Sequence, residues 1–318
     1  HTILGTARAP GVLPRAVKRM FHVLHATTNQ GKPGQTGTFA VSLSYVELYR
    51  NRFVDLLAPP LASASHAGAF GSSSLRKSSG STSRSTIDLH ETRNRGIFLS
   101  GSDTLYTPVT SVDEALRLIR MGNKNRATSA TNANEHSSRS HAIVTLHVQV
   151  TPTEMEGSLG SATGSTAKKS NRSRLARSPP PRFSKLHVID LAGSERVSQS
   201  GAVGVQLQEA QAINLSLTAL SNVLMALSSQ QSGNSSSRQR GSAGSSKSSR
   251  SGSGSSNSNQ WLVPYRNSKL THLLKDSLGG TARTVFIAHV RTIPEQYRQT
   301  MLTLDYAARA KTIRNRSP

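Results

Sequence analysis

The chain contains no cysteine in its 318 residues. That excludes disulfides, thiolate zinc sites and cysteine nucleophiles, and it fits a reducing compartment. Aromatic residues are scarce, at 4% of the sequence. Acidic residues are few as well: 16 Asp and Glu stand against 39 Lys and Arg, for a formal net charge of +23. No apolar run approaches the roughly 20 residues of a membrane-spanning helix, and no signal peptide is visible, so neither insertion nor secretion is suggested. Hydrophobic residues make up only 35%, low for a chain long enough for one large α/β domain or two small ones, so part of it must lie outside the core. The sequence opens at His1 and not at Met, which gives it the look of a fragment.

What is present is unevenly spread. Three Gly/Ser-rich tracts, 61–86, 151–182 and 229–260, have a composition that disfavours packing. The first carries Arg76, Lys77 and Arg84 with no acid. The second sets Lys168, Lys169, Arg172, Arg174, Arg177 and Arg182 against Glu154 and Glu156, and the third has Arg238, Arg240, Lys247 and Arg250 with no acid. Their surplus is close to half of the total, and the remainder still predicts a basic folded body suited to a polyanionic partner. An acidic protein filament fits that description. Nucleic acid fits less well, because the tracts lack aromatics interleaved with their cations for base stacking.

Outside the tracts, apolar spacing predicts elements. Ala16 to Thr28 has a helical stripe of Val17, Phe21 and Leu24, with Pro14 near its first turn. Phe39, Val41, Leu43 and Tyr45 alternate as in a strand with one buried face. Ser111 or Asp113 can cap a helix bearing Ala115, Leu118 and Ile119, with Gly122 at its end. Strands are expected at 143–150 and 183–190, joined as a hairpin around the second tract, followed by a long helix over Glu209 to Ser228. A short helix around Ser268 to Leu274 precedes a turn at Gly279-Gly280. The apolar run Thr284 to Val290 predicts a strand covered on both faces, and Gln299 to Ile313 a final helix. The alternation predicts one α/β domain with a central, mostly parallel or mixed sheet flanked by helices, interrupted by the three tracts.

Two blocks carry the chemistry. Asn134-Glu135-His136-Ser137-Ser138-Arg139-Ser140-His141 precedes one apolar strand, and Asp190-Leu191-Ala192-Gly193-Ser194-Glu195 closes another. Together they supply compact hydroxyls, a strand-end carboxylate, a glycine N–H and a potential Arg139–Glu195 bridge, which is what a site gripping Mg²⁺ and a terminal phosphate requires. Gly193 permits close backbone approach. Gly34-Gln35-Thr36-Gly37 is not a phosphate loop: no Gly-Lys-Ser/Thr follows, and Thr38-Phe39 leads directly into a strand. No Walker-type loop occurs elsewhere in the sequence. His136, His141 and His147 lack the neighbours of a zinc site.

These two blocks resemble switch I and switch II of the kinesin motor domain. Asn214-Leu215-Ser216-Leu217-Thr218-Ala219-Leu220 resembles the start of that family's long switch II helix, although the family commonly has a lysine where Leu215 stands. Val263-Pro264-Tyr265-Arg266-Asn267-Ser268-Lys269-Leu270-Thr271, Asp276-Ser277-Leu278-Gly279-Gly280 and the helix around Tyr306, Ala307, Ala310 and Lys311 are similar to its later segments. The resemblance covers nearly everything outside the tracts, and Val197 to Gln208 leans towards conventional transport kinesins.

The resemblance implies a P-loop NTPase-like motor fold, ATP and Mg²⁺ as cofactors, and microtubules (tubulin) as the partner. Ser138 would join the Mg²⁺ shell, Asp190 would hold the metal through water, and Asn134 and Gly193 would contact the nucleotide. Ser137 would help place the attacking water, and Arg139 with Glu195 would close the gate. Asn214 would begin the relay helix. Arg266, Lys269, Lys247 and Arg250 would face the track. Cytoplasm and cytoskeleton follow as location, with any oligomerisation through a stalk. The resemblance also places the phosphate loop upstream of residue 1 and the neck linker just after Pro318. The chain alone is therefore expected to fold poorly and to turn over no ATP. The alternative is a catalytically inactive basic fragment that only binds microtubules.

Overall fold

In the computed structural model of the chain, residues 2–6, 8–29, 37–59, 86–93, 95–131, 139–152, 180–193, 205–237 and 262–316 are described. The elements begin with α1 (Val12–Asn29), β1 (Gly37–Tyr49), β2 (Arg52–Asp55), the ribbon β3 (Asp88–Thr92) and β4 (Gly96–Ser100), and β5 (Thr107–Pro108). They continue with α2 (Val112–Thr131), β6 (His141–Pro152), β7 (Arg182–Asp190), α3 (Val205–Ser237), α4 (Lys269–Leu273) and α5 (Tyr297–Thr312).

The alternation along β1 does more than predicted. Val41, Leu43 and Tyr45 are buried on one face, and Val46 and Leu48 are buried on the other. Over the first face lie Leu13, Val17 and Phe21 of α1 with Ala115 and Ile119 of α2. Over the second lie Leu220 and Leu224 of α3, Leu270 and Leu273 of α4, and Ile97 and Leu99 of the ribbon. The result is a sheet between two helical layers, each buried Leu or Phe contributing about 1.5–3 kcal/mol of apolar transfer. Pro14 sits in the first turn of α1, where its missing N–H costs no helical bond.

The main sheet runs β2-β1-β6-β7, with β5 beside β1. Every described ladder is antiparallel, where a mostly parallel or mixed sheet was expected. The physical reason lies in the connections. β1–β2 closes through the two-residue turn Arg50-Asn51, both at positive φ (47° and 59°), the geometry that matches strand twist in a tight hairpin. β6 and β7 are also consecutive strands with no described helix between them, so they pair as a hairpin; parallel neighbours need a crossover.

Other expectations change in detail. The helix expected to end at Gly122 continues to Thr131. Gly122 is instead a site of close packing: a Cβ there would lie 2.3 Å from Tyr45 Cδ1. The second tract is shorter than read, since Thr151 and Pro152 belong to β6 and Arg182 to β7. The third tract loses 229–237 to α3, because Ser and Gln tolerate a helix already nucleated by its packed stripe. Thr86 is described at the edge of the first tract. Pro180 and Pro181 are described just before β7, and the remainder of the three tracts lies outside the described residues.

The run Thr284 to Val290 is not a strand. It enters no ladder among the described residues, and Val285, Phe286, Ile287 and Val290 are 86%, 43%, 50% and 47% exposed. Hydrophobicity alone does not make a strand; a neighbour must satisfy the backbone. The described sheet stops at β7. Met301, Leu302 and Leu304 of α5 add to the same exposed apolar character. No helix among the described residues is long and apolar enough to cross a membrane.

Candidate functional site

The β6–β7 ladder runs from Ala142↔Asp190 to Val150↔Arg182. It therefore brings the start of β6 and the end of β7 side by side, and with them His141 of the first polar block and Asp190 of the second. Arg139, Asp190 and Gly193 are described, and the Asp190 side chain is 55% exposed at the strand end. Asn134, Ser137, Ser138 and Glu195 lie outside the described residues, as do Lys247 and Arg250.

Beneath Asp190 is a buried polar network that sequence reasoning missed. Arg126 of α2 reaches Asp190 Oδ2 through Nη1 at 3.4 Å and Glu47 Oε1 through Nε at 3.5 Å. Its Nη2 donates to the Ser140 carbonyl at 3.1 Å. The Ser140 hydroxyl donates to Glu47 Oε1 at 2.5 Å, and the Glu47 side chain is only 2% exposed. A buried charge is tolerated only when paired and hydrogen-bonded, and here one arginine serves β1, β6 and β7 together. Tyr45 donates to Asn123 Oδ1 at 2.7 Å, and burial pushes its phenol up to about 12. One signal was available. Glu47 continues the Val41-Leu43-Tyr45 face, so an acid stands where the alternation calls for an apolar residue.

His141 ties three segments together. The Ala192 N–H donates to Nδ1 at 3.0 Å, so the imidazole proton sits on Nε2, which donates to Ser216 Oγ at 2.8 Å. Burial, with help from the Arg126 charge, pulls its pKa down to about 4 and keeps the ring neutral. One ring thus joins the strand after the first block, the loop of the second, and α3. Asn214 lies on this helix, partly buried, but well inside it: α3 begins at Val205, not near Asn214. Leu215, beside it, is 63% exposed.

The cation-bearing segment packs against the same region. A 3₁₀ turn, Tyr265–Asn267, leads into α4. Ser268 caps that helix: its Oγ accepts from the Thr271 N–H at 3.1 Å, and its own N–H donates to Thr271 Oγ1 at 3.2 Å. The Lys269 N–H donates to Asn51 Oδ1 at 3.1 Å, and its ammonium stands 5.6 Å from the Phe53 ring centroid. Arg266 is 79% exposed. A cleft of about 50 Å³ lies between the two regions, lined by Arg139, His141, Ser216, Arg50 and Asn267 among others.

For ATP with Mg²⁺ the fit is partial. Asp190 is an accessible strand-end carboxylate and Gly193 follows three residues later, as the metal and phosphate edge of such a site requires. The sequence offers no Gly-Lys-Ser/Thr loop to cradle the remaining phosphates, and the 50 Å³ cleft is a separate feature, lined by neither Asp190 nor Gly193.

The kinesin motor domain family model matches residues 1–313. Human kinesin-like protein KIF13B is 33% identical over 99% of this chain and 13% of its own length. Klp68D of Drosophila pseudoobscura pseudoobscura is 32% identical over 96% of the chain and 28% of itself. Zebrafish (Danio rerio) KIF22 is 32% identical over 99% of the chain and 38% of itself. The chain thus spans well under half of these relatives. Among solved structures, a fast kinesin superposes with a TM-score of 0.66 at 29% identity, covering 100% of this chain and 68% of that one. A KIF14 dimer, bound to a microtubule with AMP-PNP, gives 0.66 at 28%, covering 100% and 69%. With a family model that spans nearly all of it, and with the sheet between helical layers and the capped α4 segment in place, this chain belongs to the kinesin motor domain family.

Proposed function

We propose that the chain is the switch-bearing and track-facing portion of a microtubule motor whose full protein hydrolyses ATP with Mg²⁺. The observation that carries this reading is the His141 imidazole. It links the strand behind the first block, the loop of the second, and the helix that leads towards the cationic α4 segment. A change at either block reaches the basic face through that ring and α3.

In this reading Asp190 and Ser138 would hold Mg²⁺, Asp190 through water, and Asn134 and Gly193 would meet the nucleotide. The bound metal would neutralise charge developing on the transferred phosphoryl group. Ser137 orients the attacking water, and the Arg139–Glu195 pair closes the site. Arg126 keeps the Asp190 carboxylate pointed at one place. Asn214 lies on the relay helix. Arg266 and Lys269 meet the acidic surface of tubulin, with Lys247 and Arg250 of the third tract adding a longer-range attraction. The KIF14 relative, bound to a microtubule, supports the choice of partner. The expected location is the cytoplasmic cytoskeleton.

One observation favours a narrower reading for the chain by itself. With no phosphate loop in its sequence, it is a basic microtubule-binding unit that turns over no ATP. Co-sedimentation with microtubules across a salt series, alongside phosphate release, separates the readings. The expected result is salt-sensitive pelleting with no stimulated turnover. Turnover on the order of 1–100 per second overturns the inactive reading, and no pelleting even at low salt overturns both.

A further inference from the structure

Glu91 stands on β3 with three bonds to one stretch of chain. Its Oε2 accepts from Arg266 Nη2 at 3.2 Å and from His272 Nε2 at 3.0 Å, and its Oε1 accepts from Lys275 Nζ. The three donors come from the 3₁₀ turn, from α4 and from the turn that follows it. The Glu91 side chain is 24% exposed, while Lys275 is 40% and Arg266 79% exposed. The acid is therefore sunk among cations that remain open to solvent. Lys275 foremost, then His272 and Arg266, hold its carboxyl down at about 2, so it stays ionised at any physiological pH.

An acid at this place needs a reason. Surface ion pairs contribute little to stability, and a negative charge within a basic face weakens attraction to an acidic partner. What three convergent bonds do provide is orientation. Arg and Lys side chains have large rotamer freedom, which docking must remove unless it is already gone. A carboxylate that accepts from both fixes their aliphatic stems and leaves their remaining donors outward.

We propose that Glu91 is a positioning residue of the filament-facing surface, holding Arg266 and Lys275 in the arrangement in which they meet an acidic protein surface. This adds Lys275 to the cations that face the track, and it rests on the microtubule reading above. The ribbon β3–β4 then serves the interface indirectly, by carrying the carboxylate that sets the geometry of another segment.

The sign of the effect makes the proposal testable. E91Q removes a negative charge and E91D keeps it while shortening the reach by one methylene. A purely electrostatic account has E91Q bind microtubules more tightly, as D103N, an exposed acid elsewhere, also would, and has E91D unchanged. Positioning has both E91Q and E91D bind about three- to tenfold more weakly in co-sedimentation at constant salt, the scale of one ordinary hydrogen bond's net contribution. It also has E91Q and R266Q act non-additively: in the R266Q background the further loss from E91Q shrinks by at least half. Circular dichroism checks that each variant is folded, and if E91Q is not, E91D carries the test. Tighter binding by E91Q, wild-type binding by E91D, or full additivity with R266Q overturns the proposal. Failure of the unsubstituted chain to pellet is a different result, and it overturns the microtubule reading itself.

Discussion

Single side chains decide more here than their size suggests. His141 is held neutral between the Ala192 N–H and the Ser216 hydroxyl, and Arg126 supports Asp190 from inside the molecule. Gly122 governs the helix that carries Arg126, because it lies against the Tyr45 ring one helical turn before that arginine. Gly122→Ala should destabilise the fold by about 1–3 kcal/mol through overpacking, despite alanine's better helix propensity. Chemical denaturation checks this: a midpoint equal to or above that of the unsubstituted chain would show that Tyr45 moves aside freely.

At the scale of elements, α4 is too short to persist on propensity, with five residues from Lys269 to Leu273. Helices of this length are marginal without external support, so its cap matters. Ser268, 6% exposed, exchanges bonds with Thr271, which is fully buried. Ser268→Ala should cost about 1–2 kcal/mol and loosen the segment that presents Lys269. Hydrogen exchange across 269–274 is the direct measurement, and protection unchanged from the parent would mean that Leu270 and Leu273 hold α4 without its cap. Most elements were legible from spacing: the stripe of α1, the alternation of β1 and the hairpin of β6 and β7 all carry local patterns. What escaped was set by tertiary partners. Thr284 to Val290 has strand composition but no described ladder, Gly122 has the look of a helix end but serves packing, and Arg126 gives no local sign of the carboxylates it joins. For the candidate site, the sequence pointed to Arg139, Asp190 and Gly193 as expectations and did not reveal the network of Glu47, Ser140 and Arg126 that the structure places beside Asp190.

For the molecule as a whole, acid stability follows from three imidazoles on β6 and β7. Burial lowers His141 and His187 from 6.5 to about 4 and His147 to about 3. His147 bonds to Ser44 Oγ at 3.2 Å and His187 to Thr145 Oγ1 at 2.8 Å. Their folded pKa values lie below the unfolded one, so the unfolded chain binds more protons as pH falls through 6.5 towards 4, and stability declines over that window. Each should remove about 1–2 kcal/mol by pH 5. Thermal midpoints between pH 7.5 and 5 test this, and a flat profile would mean that the rings are protonated in the folded state. Glu91 acts in a separate, lower window: its contribution is present above about 4.5 and fades as pH drops towards about 2.

The register of the β6–β7 hairpin has one more consequence. His141 and Asp190, one from each polar block, stand at the Ala142↔Asp190 end, while residues 150 and 182 mark the opposite end of the ladder, about 27 Å away at roughly 3.4 Å per residue. The separation of the blocks is thus measured from one end of a ruler whose other end carries the long insertion. Residues can be added to or removed from 153–181 without altering that gauge, whereas a slip of a single residue in the ladder turns every side chain of β7 over, Asp190 included. A change of length in 153–181 and the placement of Asp190 beside β6 thus belong to opposite ends of the same two strands, so the one need not disturb the other.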